Sequence, residues 1–230
     1  NPKLTYKKSL TQFLCDSATI NRRTNIVEAF GNIHINDNDS IHTYAQYLRY
    51  VGNERMAYLK KNVRLTDKKG TLYTDDLDYN MRTGIATYKN GGRIVNEKTI
   101  LTSRDGVYYA DTKDVYFKNN VHLKDPDRNI HTDSLLYNLK TNIATFIAKT
   151  QIIGKDGSVT NTNAGTYNLT TGEAIFTDGA SFSDSTHSAS AKIMAFDKKS
   201  NTLQMQGNVK FVDSVNRLIV LSGEAFADLT

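Results

Sequence analysis

Carboxylates are the most regularly placed side chains in this sequence that could do chemistry. One acidic residue recurs at intervals of about 30 residues along the chain. The members of this acidic row are Asp37, Asp67, Glu97, Asp125, Asp156, Asp184 and Asp213. Acid–base catalysis requires one asymmetric site in which two carboxyl groups have different pKa values, and a row of equivalent acids does not provide it. The row therefore favours turn formation, with weak calcium binding as the alternative.

The five histidines are the next candidates, as metal ligands. His34 and His122 occupy equivalent positions three repeats apart. His42 and His131 are related in the same way, and His187 has no partner by spacing. Strands lie about 4.8 Å apart, which puts equivalent residues three strands apart on the order of 14 Å from each other. That distance is too long for a shared metal, so we expect structural or solvated histidines.

Signals for other catalytic chemistry are missing. Cys15 is the single cysteine, which excludes an internal disulfide and a cysteine-based metal cage. We expect it to be a small buried side chain, with a nucleophile or a lipid anchor as the alternative. The sequence has no Gly-x-Ser-x-Gly, no HExxH and no phosphate-binding glycine loop. We predict a non-enzymatic protein without a cofactor or a metal.

A repeat of about 29 residues organises the chain. Its first column is a large apolar position: Ile20, Tyr50, Tyr79, Tyr109, Tyr137, Tyr167 and Phe196. A second column lies five residues further on and is rich in Gly and Asn, which tolerate the left-handed backbone of tight hairpins. Its members are Asn25, Arg55, Gly84, Asp114, Asn142, Gly172 and Asn201.

Two further apolar columns follow each turn. The first is a small-then-large pair: Val27/Ala29, Ala57/Leu59, Ala86/Tyr88, Ala144/Phe146, Ala174/Phe176 and Leu203/Met205. The fourth repeat is interpreted as one residue shorter, so that Val115/Phe117 or Tyr116 fills this place. The last column is Ile33, Val63, Arg93, Val121, Ile152, Ala180 and Val209. We expect Ile94 to replace Arg93 through a bulge at residues 90–92.

Apolar and polar residues alternate with period two around these columns, which is typical of antiparallel strands with one buried face. Stacked units of this kind share one continuous core. The sequence thus predicts an all-β fold of stacked antiparallel strands, with roughly seven and a half repeats in a single elongated domain over residues 1–230. The repeats start near residues 14, 41, 71, 101, 130, 159, 189 and 218.

The net charge of +5 is small, and no Lys or Arg lies between Lys155 and Lys192. This charge does not indicate a nucleic-acid partner. Four lysines recur beside the corner of successive repeats: Lys60, Lys89, Lys118 and Lys149. This lysine row either keeps the strands soluble or contacts the phosphates or carboxylates of an amphipathic ligand.

The aromatic positions either fill a core or line an apolar groove, since two packed sheets can open along one side. Small residues such as Ala57 and Ala144 beside the large ones would leave room for acyl chains. The candidate lining residues are Tyr50, Leu59, Tyr79, Tyr88, Tyr109, Tyr137, Phe146, Tyr167 and Phe176.

Several repeating phrases carry a resemblance to a known family. Residues 30–35 (FGNIHI), 61–65 (KNVRL) and 206–211 (QGNVKF) share a Gly-Asn-Val type of phrase. Residues 132–138 (TDSLLYN), followed by 142–146 (NIATF), form a second recurring unit. These phrases resemble the OstA-like (LptA) family over nearly the whole chain. The Gly-Asn phrase is degraded at Thr150-Gln151 and Asp178-Gly179, and the chain has more repeats than a minimal transport protein.

The resemblance implies a periplasmic β-jellyroll that binds lipopolysaccharide in an apolar groove and carries it to the outer membrane. It also implies end-to-end association with other OstA-like or Lpt components through open sheet edges. Composition by itself does not distinguish a cytoplasmic protein from one whose targeting segment has been removed. The periplasmic location is therefore an expectation from the resemblance.

Two readings of the function remain open: a lipopolysaccharide-binding bridge, and a structural stalk with a sealed core and no ligand. A polysaccharide-active β-helix enzyme would need one distinctive repeat, whereas these repeats have nearly the same length. The chain stops partway through an eighth repeat, at residues 218–230, after the apolar residues 218–221. We expect this edge strand, and the opposite edge near residues 10–20, to support head-to-tail self-association.

Overall fold

The structure of the protein is a computed structural model. It describes residues 3–5, 12–37, 41–66, 70–96 and 98–228. These ranges contain strands and turns, and no helix in them has the length and apolar character that a membrane span requires. The chain divides into two compact units, Asn1–Thr112 and Lys113–Thr230, called the first and second unit here. The predicted single elongated domain stays a prediction.

The described residues of the first unit form eleven strands. They are β1 (Lys3–Thr5), β2 (Gln12–Leu14), β3 (Ser17–Asn21), β4 (Ile26–Asp37), β5 (Ile41–Val51), β6 (Met56–Thr66), β7 (Thr71–Asn80), β8 (Ile85–Tyr88), β9 (Gly92–Asn96), β10 (Thr99–Ser103) and β11 (Asp105–Tyr109). Strands β4 to β7 pair with one another in chain order, and β8 and β9 both pair with β7.

In the second unit, residues 113–228 are described and form ten strands. They are β12 (Asp114–Lys124), β13 (Arg128–Asn138), β14 (Ile143–Phe146), β15 (Thr150–Gly154), β16 (Val159–Asn168), β17 (Ala174–Ser183), β18 (His187–Ala191), β19 (Ile193–Asp197), β20 (Thr202–Asp213) and β21 (Leu218–Asp228). The long strands β12, β13, β16, β17, β20 and β21 alternate with short pairs such as β14 and β15, which both pair with β13 and β16.

The described pairings within each unit are antiparallel, which confirms the predicted all-β fold class and is consistent with the predicted β-jellyroll. The eight predicted repeat starts stay predictions, and their positions can be compared with the strand bounds. Each falls within two residues of the first residue of a strand, namely β2, β5, β7, β10, β13, β16, β18 or β21.

The tight turns contain the predicted left-handed residues, with one exception. Asn25, Arg55, Gly84, Asn142, Gly172 and Asn201 all have positive φ angles between 52° and 78°. In the fourth repeat the left-handed residue is Lys113, with φ of 63°, and the prediction of Asp114 is wrong. The fourth repeat is therefore not shortened: Lys113 precedes Val115 and Phe117 by the same steps as in the other repeats.

The core lies on the inner face of the strands, in rows that run across them. One such row in the first unit consists of Leu48, Leu59, Leu77 and Tyr88, which oppose one another on successive strands and are buried. The row in the second unit contains Phe117, Leu135, Phe146, Phe176, Met194 and Met205, also buried. Burial of one such side chain contributes about 1.5–3 kcal/mol to folding.

Among the described residues, five of the long strands (β4, β6, β12, β17 and β20) have a corner at which two consecutive residues have left-handed backbone, and a sixth such pair lies between β8 and β9. These pairs are Gly31/Asn32, Lys61/Asn62, Asn90/Gly91, Asn119/Asn120, Asp178/Gly179 and Gly207/Asn208. The strand register shifts at several of them, for example between Phe30 and Ile33 and between Gln206 and Val209. Gly and Asn recur in the family phrase because they adopt this conformation at the lowest cost.

On the partner strands, a buried or half-buried hydroxyl takes the place of the left-handed pair. Thr74, Ser103, Thr132 and Thr162 each donate a hydrogen bond to the carbonyl oxygen two residues further on. Thr162 Oγ1 also donates to the carbonyl oxygen of Thr177, at 3.2 Å. Regular pairing between the strands is interrupted at the corner, and the hydroxyls supply hydrogen-bond donors to these carbonyl oxygens.

The apolar position after the corner is occupied as predicted in most repeats. Ile33, Val63, Val121, Ile152, Ala180 and Val209 are buried. The expected replacement of Arg93 by Ile94 is wrong. Thr74 lies between Val63 on one neighbouring strand and Gly92 on the other, so Gly92 takes the inward position that Val63 has in its own repeat. Arg93 therefore points outward, and Ile94 falls in the next inward place, opposite Leu72 and Leu101.

Candidate functional site

The candidate lining residues of the first unit form a ladder of alternating tyrosine and alanine. Tyr50 lies opposite Ala57, Ala57 opposite Tyr79, Tyr79 opposite Ala86, and Ala86 opposite Tyr108. The alanines are buried, while the tyrosines are half-buried. This ladder is therefore the margin of the inner face, where large rings stand over small neighbours.

Tyr109 does not belong to this ladder, and its predicted inward position is wrong. It lies opposite Ile85, one residue out of register, and 38% of its surface is exposed. Tyr108 occupies the inward position instead. Adjacent side chains on a strand point to opposite faces, so only one of the two tyrosines can line the interior.

Leu59 and Tyr88 lie deeper, and Tyr88 fills its surroundings. Burial raises the pKa of Tyr88 to about 12, and its hydroxyl makes a short hydrogen bond with the Ser103 hydroxyl. A Cβ atom on Gly92 or on Gly106 would overlap the Tyr88 ring. The ring is thus held between two glycine backbones and leaves no room for a further group at this point.

The second unit repeats the arrangement. Tyr137 lies opposite Ala144, Ala144 opposite Tyr167, and Tyr167 opposite Ala174. Tyr167 is buried and Tyr137 half-buried, and burial raises the pKa of both phenols. The Arg128 guanidinium stands 4.4 Å from the centre of the Tyr167 ring, a cation–π contact.

Phe146 and Phe176 lie one row further inside the second unit. Both are buried, and their ring centroids are 6.4 Å apart. Gly165 lies between them in register, opposite each phenylalanine, so that a residue without a side chain separates two large rings. Large and small side chains alternate here as they do at the tyrosine margin.

The four members of the lysine row are all exposed, but they differ in their neighbours. Lys60 lies 3.4 Å from the Asp76 carboxylate, so part of its charge is compensated. Lys118 stands 4.3 Å from the centre of the Tyr116 ring. Their predicted contact with a ligand stays a prediction.

The histidines form pairs that sequence reasoning missed. His34 Nε2 lies 3.1 Å from His42 Nδ1 in the first unit. In the second unit the centroids of the His122 and His131 rings are 4.3 Å apart, and the ring planes are inclined at 75°. Each pair joins the two facing strands of one hairpin, β4 with β5 and β12 with β13, whereas the spacing analysis compared equivalent residues of different repeats. Register prediction within the hairpin would have found them.

Four carboxylates of the acidic row close turns. The side chains of Asp125, Asp156, Asp184 and Asp213 accept hydrogen bonds from backbone N–H groups two or three residues further on. These bonds lower the pKa of Asp184 and Asp213. The predicted turn role is confirmed for these four. Asp67 and Glu97 lie outside the described residues.

The described residues hold no group of three or more His, Cys, Asp or Glu side chains that could bind a metal ion. Cys15 is buried, as predicted, and burial is the main cause that raises the pKa of its thiol. A raised pKa lowers the thiolate fraction, which is the nucleophilic form.

Strand β21 forms one edge of the second unit. It pairs with β20 along one side, and among the described residues no strand pairs with its other side. Its side chains are largely exposed, including Ile219 at 62% and Leu221 at 74%. An edge strand with apolar side chains and unpaired backbone groups is a template for another strand.

Comparison with known proteins gives two family matches. Residues 1–133 match the model of the OstA-like proteins. Residues 101–223 match the model described as LptA/(LptD N-terminal domain) LPS transport protein. Each match covers more than half of the 230-residue chain.

Among solved structures, the chain is similar to LptH from Pseudomonas aeruginosa, described as the LptA homologous periplasmic component of the conserved lipopolysaccharide transport device. The sequence identity is 7% and the TM-score 0.30, over 61% of this chain and 84% of that chain. A search of curated proteins found no match. By the two family matches, the chain belongs to the OstA-like family of LptA/LptD N-terminal-domain lipopolysaccharide transport proteins.

Proposed function

We propose that the chain binds lipopolysaccharide, or a related amphipathic glycolipid, in the periplasm and passes it towards the outer membrane. The observation that carries the proposal is the predominantly apolar inner face of each unit, from the tyrosine margin to the buried rows. Acyl chains would enter past the half-buried tyrosines Tyr50, Tyr79 and Tyr137 and contact the deeper residues Leu59, Phe146 and Phe176.

The state of the buried polar atoms supports an apolar occupant. Among the described residues, every fully buried side-chain nitrogen or oxygen has a hydrogen-bond partner. A polar ligand inside would compete with these partners, whereas an acyl chain needs none. In this proposal the lysine row contacts the head group of the lipid, and other family members dock on the exposed β21 edge.

The sealed stalk is the second candidate, and the packing around Tyr88 favours it. The Tyr88 ring already fills the space between Gly92 and Gly106, and Ala144 and Leu135 are fully buried. In this candidate the interior contributes only stability, and the chain acts through its edges.

Mass spectrometry of lipid extracted from the protein, purified from its native cells, distinguishes the two candidates. We expect about one glycolipid per chain to survive purification and to be absent from a control protein carried through the same steps. Addition of purified lipopolysaccharide to the delipidated protein should restore this ratio. Protein that carries no lipid and takes none up would support the stalk.

A further inference from the structure

The outer face of the first unit carries a ladder of aromatic and basic side chains just past the corner. His34, Tyr44, Arg64, Tyr73 and Arg93 oppose one another in register on β4, β5, β6, β7 and β9. Directly opposite residues point to the same face of a sheet. The five side chains therefore form one row across five strands, called the outer ladder here.

Contacts within the outer ladder are face to face. The His34 and Tyr44 rings are stacked 4.4 Å apart and nearly parallel, at 3°. The Arg64 guanidinium lies 4.1 Å from the centre of the Tyr44 ring, and that of Arg93 lies 5.8 Å from the centre of the Tyr73 ring. Such stacking holds a guanidinium in place while its N–H groups stay available.

The outer ladder has unbalanced positive charge and an open aromatic face. Among the described residues, no carboxylate lies within ion-pair distance of Arg64 or Arg93. Both arginines are exposed, and 41% of Tyr73 is exposed. Arg64 and Arg93 are two strand spacings apart, about 10 Å, which suits a ligand with more than one anionic group.

The second unit shows that the repeat does not require this ladder. Its corresponding row contains no tyrosine and no arginine, although its residues are opposed in the same way: His122, His131, Gln151, Asn161, Ser181, Ser190 and Lys210. Stability of the sheet therefore does not explain aromatic and arginine side chains at these positions in the first unit. A role in binding does explain them.

The geometry points to the outer ladder as a binding surface for a phosphorylated saccharide. Guanidinium groups bind phosphate oxygens through paired hydrogen bonds, and the flat face of a tyrosine packs against the C–H face of a sugar ring. The surface lies on the opposite face of the sheet from the apolar interior, so it is separate from the acyl site. The choice of a saccharide among anionic ligands rests on the proposed function.

Single-stranded nucleic acid is the competing ligand, because it also uses basic and aromatic side chains together. The net charge of +5 and the presence of only two arginines in the ladder favour the smaller saccharide. An oligothymidylate therefore serves as an arm of the test.

The test measures binding of three probes by isothermal titration calorimetry: deacylated lipopolysaccharide, its phosphatase-treated form and oligothymidylate. We expect the double variant Arg64→Gln/Arg93→Gln to bind deacylated lipopolysaccharide about tenfold more weakly. Arg82→Gln/Lys210→Gln removes the same charge from exposed positions outside the ladder and should bind like the wild type. Tyr73→Leu should weaken binding, and Tyr73→Phe should not.

Several results would overturn the inference. In the first three, the wild type fails to bind deacylated lipopolysaccharide, binds the phosphatase-treated form equally well, or binds oligothymidylate more tightly. The fourth such result is a double variant that binds deacylated lipopolysaccharide as tightly as the wild type does. Circular dichroism of each variant checks that it is folded. The apolar dye N-phenyl-1-naphthylamine, which carries no sugar or phosphate, probes the interior separately. A wild-type protein that binds deacylated lipopolysaccharide but not the dye would count against the proposed function, and the inference about the outer ladder would stand.

Discussion

At the scale of single residues, two adjacent tyrosines have opposite environments although their side chains are identical. Tyr108 faces inward opposite Ala86, and Tyr109 faces outward opposite Ile85. Tyr108→Asp would place a charge at the margin of the core and should lower the free energy of unfolding by about 2 kcal/mol. Tyr109→Asp is the matched control and should change it by less than about 0.5 kcal/mol. Urea denaturation measures both, and equal effects would contradict the register.

Histidine environments predict how stability depends on pH. Burial is the main cause that lowers the pKa of His34 and of His131 below 6.5, and the neighbouring histidine of each pair lowers it further. The unfolded chain therefore takes up protons more readily than the folded one. Above about pH 6.5 these histidines do not lower the free energy of unfolding. Below this pH the free energy of unfolding declines as the pH falls through the lower pKa values that the histidines have in the folded state.

We expect the melting temperature to fall between pH 7.5 and pH 5.5, as a series at about half-unit steps would show. His34→Asn/His131→Asn should reduce this dependence. The turn carboxylates do not contribute in this range, because the pKa values of Asp156, Asp184 and Asp213 lie below 3.8. A variant with the same pH dependence as the wild type would show that other groups are responsible.

Sequence periodicity predicted many buried residues correctly, including Leu59, Phe146 and Phe176, because apolar side chains recur there at fixed spacing. It could not choose between Tyr108 and Tyr109, since both fit a column of large side chains. The strand pairing decides that choice. Likewise, the His34–His42 contact depends on which residues meet across a hairpin, and spacing between repeats does not contain that information.

At the scale of strands, the corners combine two local devices, a left-handed residue pair on one strand and a buried or half-buried hydroxyl on its neighbour. The Gly-Asn phrase marks the position of the first device in the sequence. Asp178 and Gly179 have the same left-handed backbone, although the phrase is degraded there. The second was not predicted, because Thr and Ser are common throughout the strands. Their role is visible only in the hydrogen bonds to the corner carbonyls.

Removal of one corner hydroxyl should be costly. In Thr162→Val the shape is kept, but the carbonyl oxygens of Ala164 and Thr177 lose a donor that lies 2.7 Å and 3.2 Å away. We expect the free energy of unfolding to fall by about 1–3 kcal/mol. Thr166→Val, at an exposed position on the same strand, is the control and should have little effect. A negligible change in Thr162→Val would mean that water replaces the hydroxyl.

At the scale of the whole molecule, the exposed β21 edge predicts self-association. Pairing between this edge and a different edge of a second copy does not close on itself, so rows of varying length should form as concentration rises. Val220→Pro removes a backbone donor from β21 and should reduce the association, whereas Val220→Thr keeps the donor and should not. Sedimentation velocity measures the effect. A strict monomer at high concentration would contradict the prediction.

The central claim is that acyl chains occupy the inner face of the sheets, and site-specific photo-crosslinking tests it most directly. Phe176 and Ile175 are neighbours on β17 that point to opposite faces, with 8% and 50% of their surface exposed. A photoreactive benzoylphenylalanine is placed at either position, and the folded protein is irradiated with purified lipopolysaccharide. We predict a crosslinked adduct from position 176 and none from position 175. Crosslinking only from position 175, or from neither position, would contradict the claim.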